Sequence, residues 1–230
     1  MGDGVPVITV DGPSGSGKGT VSRLLAERLG WHLLDSGALY RLVALAAETA
    51  GTALDDADGL AKLARSMDFE FDSRAGSEEI RLNGHNVTAR LRMESSGEAA
   101  SHVAALPAVR EALIERQRSF ARRPGLIADG RDMGSVVFPQ AVLKLFLTAS
   151  PGERAQRRHK QLKEKGIDVS LRGLSRDIAR RDLRDENRRI APLKPAHNAR
   201  VIDSTSLSPE QVVELALTWL AEAGFGSSAT

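Results

Sequence analysis

With 230 residues, 41% of them hydrophobic, the chain can bury a substantial core as one α/β domain with insertions or as two small domains. Its formal net charge of +2, from 32 Lys plus Arg against 30 Asp plus Glu, excludes a basic coat of the kind that wraps a nucleic-acid duplex. The absence of cysteine excludes disulfides, thiolate metal sites and cysteine nucleophiles.

No basic, cleavable leader opens the sequence, and no stretch approaches the roughly 20 apolar residues of a membrane span, so a soluble, cytoplasmic protein without membrane or nucleic-acid partners is expected. The basic residues divide into 25 Arg and 7 Lys. Arg grips phosphate with a planar fork where Lys offers a point charge, although GC-rich coding produces the same excess.

In chain order, apolar runs of strand length alternate with segments of helical spacing. Val5 to Val10 reads as a strand before a helix from Thr20 to Leu29, and His32 to Leu34 as a strand before a helix from Ala38 to Ala47. The region from Thr52 to Ala100 breaks the rhythm. It is polar, with short alternating pieces at Asp68 to Asp72 and Glu79 to Leu82 and a turn signal at Asn83-Gly84, and it predicts a small antiparallel insert. Leu126 to Ala128 and Val142 to Leu147 return to buried strands. A charged helix from Pro151 to Lys165, a charged segment on to Ile190, a strand at Val201 and Ile202 and a helix from Pro209 to Ala223 complete the chain, with 226–230 expected to be disordered. Short apolar strands alternating with helices predict an α/β fold with a doubly wound parallel sheet.

Directly after the strand VITVD stands Gly12-Pro13-Ser14-Gly15-Ser16-Gly17-Lys18-Gly19-Thr20, which opens the first helix. The spacing is GxxxxGK in its proper context: glycines turn backbone N–H groups toward a phosphate, the helix N-terminus adds partial positive charge, and Lys18 reaches the outer phosphates. Gly19 takes the place usually held by Ser or Thr, so Thr20 is displaced by one position from the usual magnesium-side hydroxyl. Two further clusters stand at predicted strand ends, where open parallel sheets bind ligands: Asp35-Ser36-Gly37, with Arg41 on the following helix, and Asp129-Gly130-Arg131-Asp132. Two carboxylates around an arginine there are expensive unless a ligand or ion uses them. Arg181, Asp185 and Arg188 fall at i, i+4 and i+7, a spacing that by itself describes an exposed salt-bridged helix. Ser101 and Arg110 lie in unremarkable helical segments and read by themselves as surface residues.

The sequence resembles the bacterial cytidylate kinases, a group of nucleoside monophosphate kinases within the P-loop kinases. The resemblance rests on ITVDGPSGSGKGT at 8–20, LLDSGALYR at 33–41, VREAL at 109–113, LIADGRDMGSVVFP at 126–139 and RRDLRDENR at 180–188, five motifs in the family order across nearly the whole chain. It implies a single P-loop kinase domain over 1–230 with an acceptor-nucleotide insert at 52–100 and a lid with arginine-rich closing helices at 151–190. It also implies a monomer that transfers the γ-phosphoryl of ATP to CMP or dCMP. Ser36 is then near the acceptor, Arg41 and Arg131 on its phosphate, Asp132 on the exocyclic amino group of cytosine, and Ser101 and Arg110 complete base recognition. Arg181 and Asp185 face the sugar and Arg188 the phosphoryl groups, while one of Arg154, Arg157 and Arg158 reaches ATP. No side-chain metal cluster is expected: Mg2+ is held mainly by nucleotide phosphates and water, with Asp129 or Thr20 orienting it. A carboxylate at Asp132 suits the N4 donor of cytosine and repels the O4 acceptor of uracil, which argues against UMP as acceptor. A GTP-dependent switch is disfavoured because no NKxD sequence occurs, and an ATPase motor because Gly130 follows Asp129 where a glutamate is needed.

Overall fold

The computed structural model describes residues 4–72, 79–164, 166–188 and 190–225, residue 72 by its backbone alone, so the expectation of a disordered tail at 226–230 lies outside the described residues. In chain order the elements are β1 (Val7–Asp11), α1 (Lys18–Leu29), β2 (His32–Asp35), α2 (Ser36–Ala50), α3 (Ala57–Ser66), β3 (Phe69–Asp72), β4 (Glu79–Leu82), β5 (His85–Asn86), α4 (Thr88–Leu91), α5 (Glu94–Val103) and α6 (Pro107–Arg118). There follow β6 (Leu126–Gly130), a π-helical turn (Met133–Val137), β7 (Leu143–Thr148), α7 (Pro151–Glu164), α8 (Leu171–Glu186), β8 (Arg200–Asp203) and α9 (Pro209–Glu222). They group into two compact units, one of Met1–Asp35 with Arg118–Thr230 and one of Ser36–Gln117.

The first unit is built on a five-stranded parallel sheet in the order β2-β6-β1-β7-β8. All five residues of VITVD in β1 are buried, as a strand flanked by neighbours on both edges and covered on its faces requires. Ile8 and Val10 share a core with Leu143, Leu145 and Leu147 of β7, Val21 and Leu25 of α1, and Val212, Val213, Ala216 and Leu220 of α9. The local signals are sound: α9 starts with a capping box, Ser208 accepting from the Gln211 N–H while the Gln211 side chain takes the Ser208 N–H, and Pro209 stands in the first turn. Because the strands are parallel and β1 is central, its carboxyl end opens in the middle of the sheet edge where ligands bind.

The second unit holds the antiparallel sheet β3-β4-β5. Asn83 and Gly84 both have positive φ, 49° and 79°, and pair Leu82 with His85 across a two-residue connection, the geometry that an Asn-Gly pair favours. The described residues of 52–100 also hold the helices α3 and α4 and most of α5, which the polar composition concealed: Leu60, Ala61 and Ala64 form the buried stripe of α3. Arg116 of α6 donates to the Ala64 and Met67 carbonyls at 2.9 and 2.8 Å and lies 4.4 Å over the Phe69 ring, closing the C-terminal end of α3. Among the described residues no helix is long and apolar enough to cross a membrane.

Candidate active site

Residues 12–17 carry the chain from β1 into α1. A Cβ on Gly12 would stand 2.0 Å from the Leu147 carbonyl oxygen, so only glycine lets the loop cross the end of β7 this closely. Three loop carbonyls point into the protein. Pro13 O accepts from Lys18 Nζ at 3.2 Å, Ser14 O from Arg154 Nη1 at 3.1 Å and Ser16 O from Ser204 Oγ at 3.0 Å. The only cis peptide among the described residues is Arg123-Pro124. In a trans peptide the N–H points away from its carbonyl, so the amides of Ser14, Gly15 and Gly17 are turned outward as a set, an anion-binding concavity at the start of α1.

Lys18 is buried beneath this loop, and its ammonium is pushed down to about 7, first by burial and then by the charges of Arg131 and Arg181, against the pull of Asp129 and Asp35. The charges of Arg131 and Arg181 both act on this ammonium, and a phosphate bound at the loop offsets them. Binding of a polyphosphate should therefore take up a proton. At pH 8 to 8.5, between the depressed value of about 7 and the ordinary 10.5, most Lys18 in the free protein is neutral and the bound anion recharges it. Titration calorimetry in HEPES and in Tris at that pH should give enthalpies that differ in the sense of proton uptake, fading as the pH falls below 7. Equal enthalpies at pH 8.5 would contradict the reading.

Carboxylates surround the same strand ends. Asp129 is the penultimate residue of β6, with Oδ2 3.4 Å from where a Cβ on Gly19 would lie, beside the first turn of α1. Asp11 ends β1 and accepts from the Met133 and Gly134 N–H groups at 2.8 Å each, clamping the π-helical turn whose N-cap is the buried Asp132. Burial raises the Asp11 carboxyl to about 7 in spite of those two hydrogen bonds, with Asp132 and Asp129 adding to the rise. Asp185 of α8 is 1% exposed. Burial alone would raise its carboxyl, but the charges of Arg131, Arg188 and Arg181 outweigh it and hold the group below the usual carboxylate range. One Asp185 oxygen takes Arg131 Nε at 3.1 Å and the other takes Arg188 Nη2.

The i, i+4, i+7 face needs one correction. The α8 helix ends at Glu186, and Arg188 lies beyond it. Asn187 stops the helix, its N–H and its side-chain amide both donating to the Leu183 carbonyl, and the chain turns back so that the Leu193 N–H reaches the Asp185 carbonyl at 2.9 Å. Arg188 meets Asp185 from this turn.

Within the second unit, Ser36 at the start of α2 donates to Gln117 Oε1 at 2.8 Å. Arg110, read from sequence as a surface residue, is 5% exposed, donates to the Ala104 carbonyl at 3.2 Å and lies 6.0 Å over the Tyr40 ring. Ser101 is equally buried, and its hydroxyl has no hydrogen-bond partner among the described residues. Arg41 is half-buried with an unpartnered Nε. A buried hydroxyl without a partner is unusual unless a ligand satisfies it.

A family model described as cytidylate kinase matches residues 8–222. The chain belongs to the cytidylate kinase family. It is a nucleoside monophosphate kinase, a phosphotransferase. A cytidylate kinase of Marinomonas sp. (strain MWYL1) is 59% identical over 220 residues, covering 95% of this chain and 97% of that protein. One of Pseudomonas syringae pv. tomato (strain ATCC BAA-871 / DC3000) is 58% identical over 218 residues, covering 94% and 95%. An uncharacterized protein from Eubacterium ventriosum ATCC 27560 shares the fold, with a TM-score of 0.53 at 10% identity over 94% of this chain and 98% of that one.

In this kinase the first unit gathers Gly12 to Thr20, Asp129, Arg131, Asp132, Arg181, Asp185 and Arg188 around the loop and neighbouring strand ends. Sequence reasoning missed several partners there and in the second unit. Asp11 was visible as a carboxylate closing an apolar strand, and Gln117 sits seven residues after Arg110, on the same face of α6. Arg154, one of three arginines left open for ATP, has each guanidinium nitrogen engaged by protein: Nε by the Ala149 carbonyl, Nη1 by Ser14 and Nη2 by Asp182. Arg157 is held by Glu153 and Ser204. Nothing in the sequence singled out Asp182 or Ser204.

Proposed function

We propose that this kinase transfers the γ-phosphoryl of ATP to CMP or dCMP, giving CDP or dCDP and ADP. The observation that supports it most is the phosphate loop itself, whose carbonyls of Pro13, Ser14 and Ser16 are turned into the protein over the buried Lys18, with the charges of Arg131 and Arg181 acting on the same ammonium. Such a site is complementary to a polyanion. The outward amides of 14, 15 and 17 and the chain from Gly12 to Thr20 cradle the donor phosphates, and Lys18 follows the migrating charge. Arg131 and Arg188, aimed by their shared partner Asp185, offset repulsion between donor and acceptor phosphates. Phosphoryl transfer needs little covalent help, so alignment and charge stabilisation carry the catalysis and no general base is required. The Asp129 carboxylate beside Gly19, and Thr20 one residue on, fit a hydrated Mg2+, which when bound neutralises phosphate charge. In the second unit Ser36, Ser101 and Arg110 bind the cytidine and Arg41 its phosphate, with 52–100 as the acceptor insert. Residues 151–190 act as the lid, with Arg181 and Asp185 toward the sugar, and the enzyme works as a cytoplasmic monomer.

A coupled ADP-release assay across all ribo- and deoxyribonucleoside monophosphates tests the reading. CMP and dCMP should give the highest kcat/KM, and a preference for UMP or AMP would reject it. The base-reading role of Asp132 has its own test. Asp132→Asn keeps the shape but presents an NH2 to the cytosine NH2, and it should weaken use of CMP by about 1 to 3 kcal/mol while affecting UMP and ATP far less. Equal losses for CMP and UMP would remove Asp132 from base recognition.

A further inference from the structure

We infer that Arg154 and Asp182 form a strut that sets α8 in register with the phosphate loop, and that Arg154 is a positioning residue, not a ligand of ATP. The inference deepens the proposed phosphoryl transfer and rests on that reading for its kinetic part.

Arg154 stands in the first turn of α7, packed so closely under the loop that a Cβ on Gly15 would lie 3.0 Å from both its Cβ and its carbonyl oxygen. Its guanidinium joins three separate elements. Nε donates to Ala149 O at the end of β7 at 3.0 Å, Nη1 to Ser14 O in the loop at 3.1 Å, and Nη2 to Asp182 Oδ2 on α8 at 2.6 Å. The side chains are 6% and 13% exposed, so the pair is shielded from solvent. Such a pair is weak evidence for stability, because desolvation offsets most of the attraction and apolar residues of the same volume serve as well or better. Here the fit is also incomplete, since Asp182 Oδ1 is buried without a hydrogen-bond partner. What the pair supplies is direction: a planar fork fixes the loop carbonyl and the α8 carboxylate in one plane, which no apolar contact can do.

The position of Asp182 gives that direction a use. It is followed three residues later by Asp185, which holds Arg131 and Arg188, and preceded by Arg181, which shares the field around Lys18. A shift of α8 against the loop would misalign all three arginines at once, and small misplacements of this kind reduce rate more than binding. Three of the five N–H donors of Arg154 are committed to Ser14, Ala149 and Asp182, and the side chain is only 6% exposed, which leaves little of it open to a nucleotide.

The test uses the full chain and three variants, Arg154→Lys, Asp182→Asn and the double, with steady-state kinetics and amide exchange in the absence of nucleotide. Each single variant should lower kcat at least about tenfold with KM for ATP within about threefold, and the double should be no worse than the poorer single. Exchange should rise at least about tenfold in peptides from 171–186 and stay unchanged in those of β1 and β6. Two outcomes would overturn the strut. One is a large rise in KM for ATP in Arg154→Lys with Asp182→Asn silent, which is the signature of a direct ATP contact. The other is exchange that rises alike across the sheet and α8, which is that of a merely structural pair. If Arg154→Lys fails to fold, the near-isosteric Asp182→Asn carries the exchange reading alone. A wild-type protein inactive with ATP and CMP would sink the proposed transfer but leave the exchange result to stand or fall separately.

Discussion

Lys18→Ala is expected to leave a folded protein whose turnover with ATP and CMP is at least about a hundredfold lower, a loss of at least ~2.7 kcal/mol of transition-state stabilisation. The fold should survive for a reason visible in the electrostatics. The folded state disfavours the ammonium because of burial and of Arg131 and Arg181, so its removal relieves repulsion and leaves no carboxylate stranded as a sole partner. What disappears is the one flexible cation able to follow a migrating phosphoryl group from inside the loop. Kinetics and a thermal melt on the same preparation check both halves. Turnover near that of the wild type would take Lys18 out of the mechanism.

The second large effect concerns Arg188. Its side chain is 5% exposed and paired with Asp185, whose other oxygen holds Arg131. Arg188→Lys keeps the charge but loses the fork that lets one guanidinium satisfy a carboxylate and a phosphoryl oxygen together, so kcat should fall at least about tenfold. Stability should drop by only about 1 kcal/mol, since a charged donor to Asp185 remains. Arg184, four residues earlier on α8 and outside these ion pairs, is the control, and Arg184→Lys should be nearly silent. Indistinguishable kcat values for the two variants would remove this segment from the active site.

The parts of the molecule legible in the sequence are those governed by local rules. VITVD had to be a buried strand, GPSGSGKGT after it had to be a phosphate loop, and Asn83-Gly84 had to be a hairpin turn, because each depends on neighbours within a few residues. Residues whose character depends on distant partners were hidden. Ser101 and Arg110 looked like surface because nothing within their own turns shows that α5 and α6 bury them. The α8 helix read as exposed and salt-bridged, which is true of the Arg180–Asp177 pair and of Leu183, 62% exposed. It is false of Asp182 and Asp185, whose partners Arg154 and Arg131 come from far earlier in the chain. Arg188 kept its partner but not its helix, because the stop at Asn187 is set by the return of Leu193 to the Asp185 carbonyl.

The strand order also governs how the chain is made. Residues 36–117 form a compact unit continuous in sequence, so the contacts within it wait for no residue beyond 117. The first strand has no such freedom. Val7 pairs with Leu126 and Ile8 with Leu143, so both edges of β1 stay bare until about 120 further residues have been added, several seconds at ordinary rates of synthesis. The phosphate loop is translated well before the strands that flank β1. A nascent chain stalled before residue 126 carries an unpaired apolar VITV segment, the kind of open strand that recruits other chains.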